Sequence, residues 1–537
     1  MSETKTVNCT INGVAVSVPE GTRIIEAAEQ AGLGIAHYCY HPALSAPAMC
    51  RMCLVEVQGA PKLQPACVTP VMDGNVILTE SDKAREARQG TLEFYLLNHP
   101  LDCPICDKSG ECMLQDYTHA EGRKHGRSLE PKRVLGRDDF GGDVLYDGNR
   151  CIMCTRCVRF MREIAGNDAL CVVQRGDRSV IDTFFERGIE GDLWAGNIID
   201  ICPVGALLSK DFLHKARVWD LDGAPSVCPN CSQGCNVRID TRDNLVMRLR
   251  PRANPEVNSY WMCDYGRYRY EWMNRGDRIE APLMRDASGS LMASGWQQAI
   301  TALVERVRSA GPGAGVKVIT SPFHTVEDAG LAARFAAALG NGELVYRSER
   351  TADEVVCPGF PKLARRRDLA ANTTGLDHLG YRRVGNDQGA GGVEGSARVL
   401  LVVGDELTDV PENSVSQASL FIYIGHTLTA AARAADFVLP ASTFAEMEGT
   451  FVNFERRVQR FWPALLPPPL ARPAWQILGV LLAGLDQEGA PASAAQAFAL
   501  VASHNDAFAG LDYETLGPRG AVLNSRVRIS ADGGEVR

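Results

Sequence analysis

Recurrent Cys-x-x-Cys spacings in the first half of the chain are the feature that most restricts its fold. The chain has 18 cysteines among 537 residues, and all but Cys357 lie before position 264. Its polar start lacks the basic and apolar regions of a secretory signal, so a disulfide framework is not expected. Because such spacings are typical of metal ligation, we expect loops that wrap metal centres.

The first candidate ligand set follows a predicted β-hairpin and helix. The β-branched segments Val7–Ile11 and Val14–Val18 flank an Asn-Gly turn, and residues 23–31 predict a helix. This order, followed by a cysteine loop, is typical of a β-grasp module that binds a [2Fe–2S] cluster through thiolates. The spacing C-x10-C-x2-C-x13-C is formed by Cys39, Cys50, Cys53 and Cys67. A zinc site is the alternative that the spacing leaves open.

The second set combines one histidine with three cysteines in the spacing H-x3-C-x2-C-x5-C. Its members are His99, Cys103, Cys106 and Cys112. The spacing alone also fits a zinc site with three cysteines and one histidine. Because the set directly follows a [2Fe–2S] module, we interpret it as a [4Fe–4S] site with His99 as a ligand. A neutral imidazole in place of a thiolate is expected to raise the reduction potential.

The third set is a C-x2-C-x2-C run with a distant Cys-Pro, which is the bacterial ferredoxin pattern. In two-cluster ferredoxins, the fourth cysteine of each run binds the other cluster. Here the fourth position of the first run is Met161, and the remaining positions of the second run are Asp192, Ala195 and Ile198. The sequence therefore indicates a two-cluster module that retains one [4Fe–4S] cluster. Its expected ligands are Cys151, Cys154, Cys157 and Cys202.

The fourth set has the spacing C-x2-C-x3-C-x27-C and consists of Cys228, Cys231, Cys235 and Cys263. It resembles the [4Fe–4S] segment that opens molybdopterin oxidoreductases, although zinc again fits the spacing alone. Cys9 and Cys171 are expected to be structural, since free cysteine packs as a small hydrophobe. Cys357 is also expected to pack, at a strand end, and not to bind molybdenum.

The second half of the chain alternates short β-branched segments with alanine-rich stretches, which predicts a parallel, doubly wound α/β domain. The predicted strands include Val316–Thr320, Val399–Val403 and Leu420–Ile424. The predicted helices include Ala299–Ala310, Asp328–Leu339 and Thr427–Ala435. Residues 124–150 are polar and rich in glycine, and we expect a linker there. No dinucleotide-binding glycine motif follows a strand, and Gly389–Gly392 is only a loop candidate, so NADH binding is not assigned.

Charge and hydropathy exclude two function classes. The net charge is −9 and the pI is about 5.7, whereas a nucleic-acid binder needs a basic surface. The longest apolar stretch, Ala474–Leu485, has 12 residues, and a membrane-spanning helix needs about 20. We therefore expect neither nucleic-acid binding nor a direct membrane span.

With four sets in this order, the sequence resembles the large iron–sulfur (G) subunits of NADH-quinone oxidoreductase, which is respiratory complex I. The resemblance covers nearly the whole chain and is strongest in HYCYHPALSAPAMCRMCLVEV, NHPLDCPICDKSGECMLQDY, NRCIMCTRCVRF, NIIDICPVGAL and CPNCSQGCNV. It implies a multidomain α+β and α/β protein with an N-terminal β-grasp [2Fe–2S] domain, His-Cys and ferredoxin-like [4Fe–4S] modules, and a degenerate, shortened molybdopterin-oxidoreductase-like α/β domain. The expected domains are 1–83, 84–123, 124–220, 221–277 and 278–537.

The resemblance also implies function. We expect one [2Fe–2S] and three [4Fe–4S] clusters, no molybdopterin, and no complete active site in this chain alone. Electrons are expected to arrive from an FMN- and NADH-binding subunit with its small [2Fe–2S] partner, and to leave toward the quinone-side subunits of the peripheral arm. The expected location is peripheral, at the cytoplasmic face of the inner membrane.

Two enzyme subunits and one scaffold are the alternatives. A formate dehydrogenase subunit would need molybdenum and a larger pterin-binding scaffold than the chain after Cys263 provides. The diaphorase-side subunit of an NAD-linked hydrogenase shares the first three modules but should end near 240 residues. A scaffold with structural zinc would require that all four sets be zinc sites.

Overall fold

The computed structural model of the chain describes residues 5–183, 188–311, 313–340, 342–384, 397–408, 410, 415, 418–487, 489–524, 528–529 and 535–536. The chain divides into two compact units. Unit 1 comprises Met1–Leu221 and Cys357–Pro361, and unit 2 comprises Asp222–Val356 and Lys362–Arg537. Among the helices in the described ranges, none combines the length and apolar character needed to cross a membrane.

Unit 1 begins with a five-stranded mixed sheet in the order β2-β1-β5-β3-β4. Its strands are β1 (Thr6–Ile11), β2 (Val14–Pro19), β3 (Leu54–Val57), β4 (Gln64–Pro65) and β5 (Asn75–Leu78). Asn12 and Gly13 both have positive φ, as the tight turn between β1 and β2 requires. Helix α1 (Ile24–Gln30) packs its apolar face into the core beneath the sheet. The predicted β-grasp-type fold is confirmed.

Two helices enclose the loop of the second set. Helix α2 (Asp82–Asn98) begins at Ser81, whose hydroxyl accepts a hydrogen bond from the Ala84 N–H, and it ends immediately before His99. Helix α3 (Met113–Glu121) begins immediately after Cys112. The helix boundaries therefore place the first and last members of the set at the two ends of one loop.

The described part of the third module includes five strands, two short helices and one turn of π-helix at Met161–Ala165. The regular elements are β6 (Arg137–Gly141), β7 (Val144–Asp147), α4 (Arg156–Phe160), β8 (Leu170–Val173), β9 (Val180–Thr183), α5 (Asn197–Ile201) and β10 (Leu207–Ser209). The predicted linker is wrong in its second half, because β6 and β7 form a hairpin that pairs with β10. Phe140 and Tyr146 stack with centroids 4.6 Å apart and bury the inner face of this polar segment.

Unit 2 begins with an antiparallel sheet of β11 (Asp222–Val227), β12 (Asn236–Arg242) and β13 (Leu245–Pro251), followed by α6 (Asp264–Tyr268). An eight-stranded sheet follows, in the order β15-β14-β23-β22-β21-β16-β17-β20. Its strands are β14 (Leu283–Arg285), β15 (Leu291–Ala293), β16 (Val316–Thr320), β17 (Gly342–Arg347), β20 (Arg382–Val384), β21 (Val399–Val403), β22 (Leu420–Gly425) and β23 (Phe437–Pro440). The six strands from β23 to β20 are parallel, which confirms the predicted α/β domain.

Helices cover the large sheet, and short strand pairs lie beside it. The helices are α7 (Trp296–Ala310), α8 (Val326–Ala338), α9 (Thr373–His378), α10 (Ala474–Gly484), α11 (Ala494–Ser503) and α12 (Tyr513–Leu516). The remaining strands are β18 (Val355–Val356), β19 (Ala364–Arg365), β24 (Gly449–Val452), β25 (Arg457–Phe461), β26 (Ala521–Val522), β27 (Arg528–Ile529) and β28 (Glu535–Val536). The main apolar core of unit 2 lies between the sheet and α7, α8, α10 and α11.

One helix prediction in unit 2 is wrong. Within Thr427–Ala435 only Ala432–Ala434 forms a short 3-10 turn. Thr427 instead pairs with Arg278 in an isolated β-bridge, and its carbonyl accepts a hydrogen bond from the Tyr423 hydroxyl. These contacts with other parts of the chain override the helical preference of the alanines. The glycine-rich loop candidate Gly389–Gly392 lies outside the described residues.

Candidate iron–sulfur centres

Three members of the first set lie in the loop between α1 and β3, and the fourth, Cys67, follows β4. All four cysteine side chains are buried, with at most 3% of any residue exposed. The thiols of Cys50 and Cys67 hydrogen-bond to Cys39, which lowers the pKa of the Cys39 thiol. The same contacts and burial raise the pKa values of Cys50 and Cys67. Thiol groups this close together form a compact sulfur site that suits a [2Fe–2S] cluster.

Unusual backbone geometry directs amides toward this site. Ala48 and Arg51 have left-handed conformations, with φ of 54° and 57°. The backbone N–H groups of Met49 and Cys50 donate to the Cys39 sulfur. Alternation of right- and left-handed residues turns successive N–H groups to one side, which makes an anion-binding concavity. The loop is therefore shaped to stabilise negative charge on sulfur.

The second set is partly open. His99, Cys103 and Cys112 line a cavity of about 550 Å³, and Cys103 is exposed. The N–H groups of Leu114 and Gln115, in the first turn of α3, donate to the Cys112 sulfur. Burial, followed by the nearby Lys132, lowers the pKa of His99 to about 4, so its imidazole is neutral at pH 7. A neutral imidazole is the form that binds metal.

Two observations show that the second set fits a ligated group. The buried Nδ1 of His99 has no hydrogen-bond partner among the described residues. Gly205 lies so close to Cys106 that a Cβ placed on it would be 2.1 Å from the Cys106 sulfur. The Nδ1 of His99 is therefore a buried acceptor that could bind a metal. Gly205 leaves space beside the Cys106 thiol.

The third set is brought together across the longest sequence separation. Cys151, Cys154, Cys157 and Cys202 all line one small cavity at α4 and α5. Burial raises the pKa of each of the first three, and the proximity of Cys202 contributes to the shift in every case. The structure therefore places the distant Cys202 beside the three-cysteine run, as the crossed ligation of a two-cluster ferredoxin predicts.

The ligand positions inferred to be lost from the second ferredoxin cluster contain mostly apolar side chains. Met161 and Ile198 are fully buried, and Ala195 is 5% exposed. Cys357 packs nearby, with its thiol 3.4 Å from the Ile164 carbonyl oxygen. Burial raises the pKa of Cys357 to about 11. These contacts agree with a packing role for Cys357.

The fourth set lies in unit 2, between β11, β12 and α6. Its four cysteines are buried, and they contribute to one another's raised pKa values after burial itself. The Asn230 side chain hydrogen-bonds the Cys228 sulfur and donates to the Gly266 carbonyl at 3.2 Å. A Cβ on Gly266 would lie 2.8 Å from the Cys228 sulfur, so this glycine also leaves room for the sulfurs.

A single-ion site is not present in the described ranges. No group of three or more His, Cys, Asp or Glu side chains there could hold a metal ion. An iron–sulfur cluster differs from a single ion because its ligands are distributed over several iron atoms, two per iron in [2Fe–2S] and one per iron in [4Fe–4S].

Five family models match successive parts of the chain. They are "2Fe-2S iron-sulfur cluster binding domain" at residues 4–82, "NADH-ubiquinone oxidoreductase-G iron-sulfur binding region" at 88–127, "NADH-quinone oxidoreductase subunit 3, ferredoxin-like domain" at 141–208, "NADH-ubiquinone oxidoreductase NDSU1/NuoG-like, 4Fe-4S domain" at 230–271 and "Molybdopterin oxidoreductase" at 366–483. Their order follows the order of the four ligand sets and the α/β domain.

Curated relatives carry the same assignment. The G subunit of the NADH-quinone oxidoreductase of Streptomyces coelicolor is 38% identical over 376 residues, which cover 68% of this chain and 44% of the relative. The mitochondrial NADH dehydrogenase [ubiquinone] iron-sulfur protein 1 of Solanum tuberosum is 43% identical over 302 residues, covering 56% of this chain and 41% of the relative. The chain belongs to the family of large iron–sulfur (G) subunits of NADH-quinone oxidoreductases. It spans less than half the length of these two relatives.

A solved structure is also similar. A chain of a NAD+-reducing [NiFe]-hydrogenase is 30% identical, with a TM-score of 0.36, and the match covers 40% of this family member and 91% of that chain.

Within this large iron–sulfur subunit, sequence reasoning missed four residues that shape the sites. Gly205 and Gly266 lie against ligand sulfurs, and Arg156 and Arg159 contact the loops of the first and third sets. The only sequence signal for the arginines is their position beside Cys157. For the glycines, proximity in sequence to Cys202 and Cys263 was the available signal.

Proposed function

We propose that the chain is an electron-transfer subunit of an NADH:quinone oxidoreductase, with one [2Fe–2S] and three [4Fe–4S] clusters held by the four sets. The observation that carries the proposal is the third set, in which Cys202 lines the same cavity as Cys151, Cys154 and Cys157. A run of three cysteines joined by a distant Cys-Pro is a ferredoxin ligand set, and electron transfer is the chemistry of that set.

The residues of the chain supply three contributions to this function. Buried thiolates hold the clusters, and N–H groups directed at sulfur stabilise their negative charge. Apolar packing around the first and fourth sets, whose cysteines are all buried, excludes water, which strengthens electrostatic interactions within them. The clusters supply the one-electron chemistry when bound, so no acid, base or nucleophile is required.

The partners follow from the same proposal. Electrons arrive from an FMN- and NADH-binding subunit with its small [2Fe–2S] partner, and leave toward the quinone-side subunits of the peripheral arm. The chain then works as a peripheral component at the cytoplasmic face of the membrane that contains the complex. The proposed domain boundaries are those predicted above, 1–83, 84–123, 124–220, 221–277 and 278–537.

Metal analysis of the anaerobically purified full chain tests the proposal. We expect about 14 iron atoms per chain, the sum for one two-iron and three four-iron clusters. Low-temperature EPR of the reduced protein should resolve one [2Fe–2S] signal and several [4Fe–4S] signals. Stoichiometric zinc without iron would refute the electron-transfer proposal, and stoichiometric molybdenum with formate oxidation would replace it with a formate dehydrogenase.

A further inference from the structure

The short helix α4 carries two arginines as well as a ligand of the third set. Arg156 donates from Nη1 to the Ile201 carbonyl oxygen at 3.1 Å and from Nη2 to the carbonyl oxygen of Tyr40. Tyr40 follows Cys39 of the first set, and Ile201 precedes Cys202 of the third. One guanidinium group therefore joins the backbones of both ligand loops.

Arg159, one helical turn later, makes the connection more direct. Its Nη2 donates to the Cys39 carbonyl oxygen and to the Cys154 carbonyl oxygen, the latter at 3.3 Å. Its Nη1 donates to the Ser45 carbonyl oxygen. A single nitrogen of Arg159 thus contacts one ligand residue from the first set and one from the third.

These two positive charges lack a carboxylate partner in the described part of the chain. Arg156 is 6% exposed, and its buried Nε has no hydrogen-bond partner there. The Glu163 carboxylate is anchored by the Ser45 N–H at 2.9 Å, and neither arginine forms an ion pair with it. A buried charge without a counter-charge is costly, so an anion is required close by.

Ligand cysteines of both sets lie close enough to Arg156 to act on its charge. Burial lowers the pKa of Arg156, while the charges of Cys154, Cys202 and Cys39 oppose that shift. A cluster held by thiolates is negative overall and gains one further negative charge when it is reduced. Because guanidinium does not lose its proton in proteins, the positive charge beside both sets is permanent.

We propose that Arg156 and Arg159 form a shared positive bridge that stabilises the reduced states of the first and third clusters together. The inference rests on the cluster ligation in the proposed function. Fixed positive charge in a low-dielectric environment interacts strongly with an added electron, so the bridge raises both reduction potentials. The arginines act as positioning residues, because they hydrogen-bond to the backbone of the ligand loops and do not carry the electrons.

Charge-specific variants test this bridge in the anaerobically purified full chain. Redox titration followed by EPR measures the midpoint potentials of the first and third clusters in Arg159→Gln and Arg159→Lys. We expect Arg159→Gln to lower the reduction equilibrium constant of both clusters at least tenfold, equivalent to about 59 mV for a one-electron couple. Arg159→Lys should retain most of the wild-type potential, because it keeps the charge. Arg156→Gln should shift both clusters in the same direction.

Arg162→Gln is the matched control, since Arg162 lies three residues further along, is 67% exposed and pairs with Asp168. Its potentials should equal those of the wild type. Unchanged potentials in Arg159→Gln with all clusters present, or a shift confined to one cluster, would overturn the bridge. Loss of clusters in the Gln and Lys variants alike would also overturn it, because contact and not charge would then matter. Absence of clusters in the wild type would instead refute the proposed function.

Discussion

Replacement of Gly205 by alanine is expected to disrupt the His99-containing site selectively. The added Cβ would lie 2.1 Å from the Cys106 sulfur and 3.3 Å from the Lys108 Cβ. Non-bonded heavy atoms need roughly 3.5–4.0 Å, so Cys106 or the backbone must move by about 1.5 Å. Functional sites tolerate displacements of about 0.5 Å, and overpacking of this kind costs about 1–3 kcal/mol. We therefore expect the second cluster to be lost.

Iron analysis and EPR of Gly205→Ala provide the measurement. Loss of one four-iron cluster should leave about 10 iron atoms per chain, with the signals assigned to the other sets retained. Gly126→Ala is the control, because Gly126 lines the cavity bordered by His99 and Cys103, and a Cβ there meets nothing within 4 Å. Full iron content, unchanged EPR and wild-type thermal stability in Gly205→Ala would refute the assignment of Cys106 to this site.

Three further predictions concern ligation, pH and packing. His99→Ala should change or abolish the EPR signal of the second cluster, and an unchanged spectrum would exclude His99 as a ligand. Burial raises the pKa of Glu327 to about 7, above its unfolded value, although the Tyr513 hydroxyl donates to its carboxylate at 2.7 Å. The folded state therefore binds the extra proton between about pH 4.5 and 7, and stability falls as pH rises through this window. In Glu327→Gln this loss of stability, which is worth up to about 3 kcal/mol, should be much smaller when thermal unfolding is measured from about pH 4.5 to 8. An equal pH dependence of stability in the two proteins would contradict this prediction. Cys357→Ala should keep every cluster signal, because its thiol contacts backbone groups of Ile164, Gly359 and Phe360; a lost signal would assign it a cluster role.

The third ligand set shows how much the cysteine spacing alone predicts about ligation. The pattern C-x2-C-x2-C with a distant Cys-Pro predicts that Cys202 joins Cys151, Cys154 and Cys157, and the structure brings these four together. Met161 in place of a ligand predicts a missing second cluster, and its full burial agrees with that interpretation. Such patterns are informative because a cluster fixes ligand type and local spacing together.

Predictions of regular structure succeeded where hydrophobic runs were strong. The segments Val316–Thr320 and Val399–Val403 are strands with the predicted bounds, since a fully buried parallel strand needs continuous β-branched residues. The hairpin within 137–147 was missed, because its buried apolar side consists of Phe140, Val144 and Tyr146 within a polar segment. The helix expected at Thr427–Ala435 failed because Arg278 and Tyr423 hold Thr427 in another conformation.

The sequence by itself determined the chemistry of this protein, through the types and spacings of cysteine and histidine. Most of these spacings are local, although Cys202 and Cys263 follow the preceding ligands of their sets by 45 and 28 residues. Only the tertiary structure decided which other residues support the ligand sets. Arg159 contacts Cys39, 120 residues away in sequence, and Gly205 makes room for Cys106. Such contacts depend on chain folding that brings distant segments together, and no spacing rule encodes them.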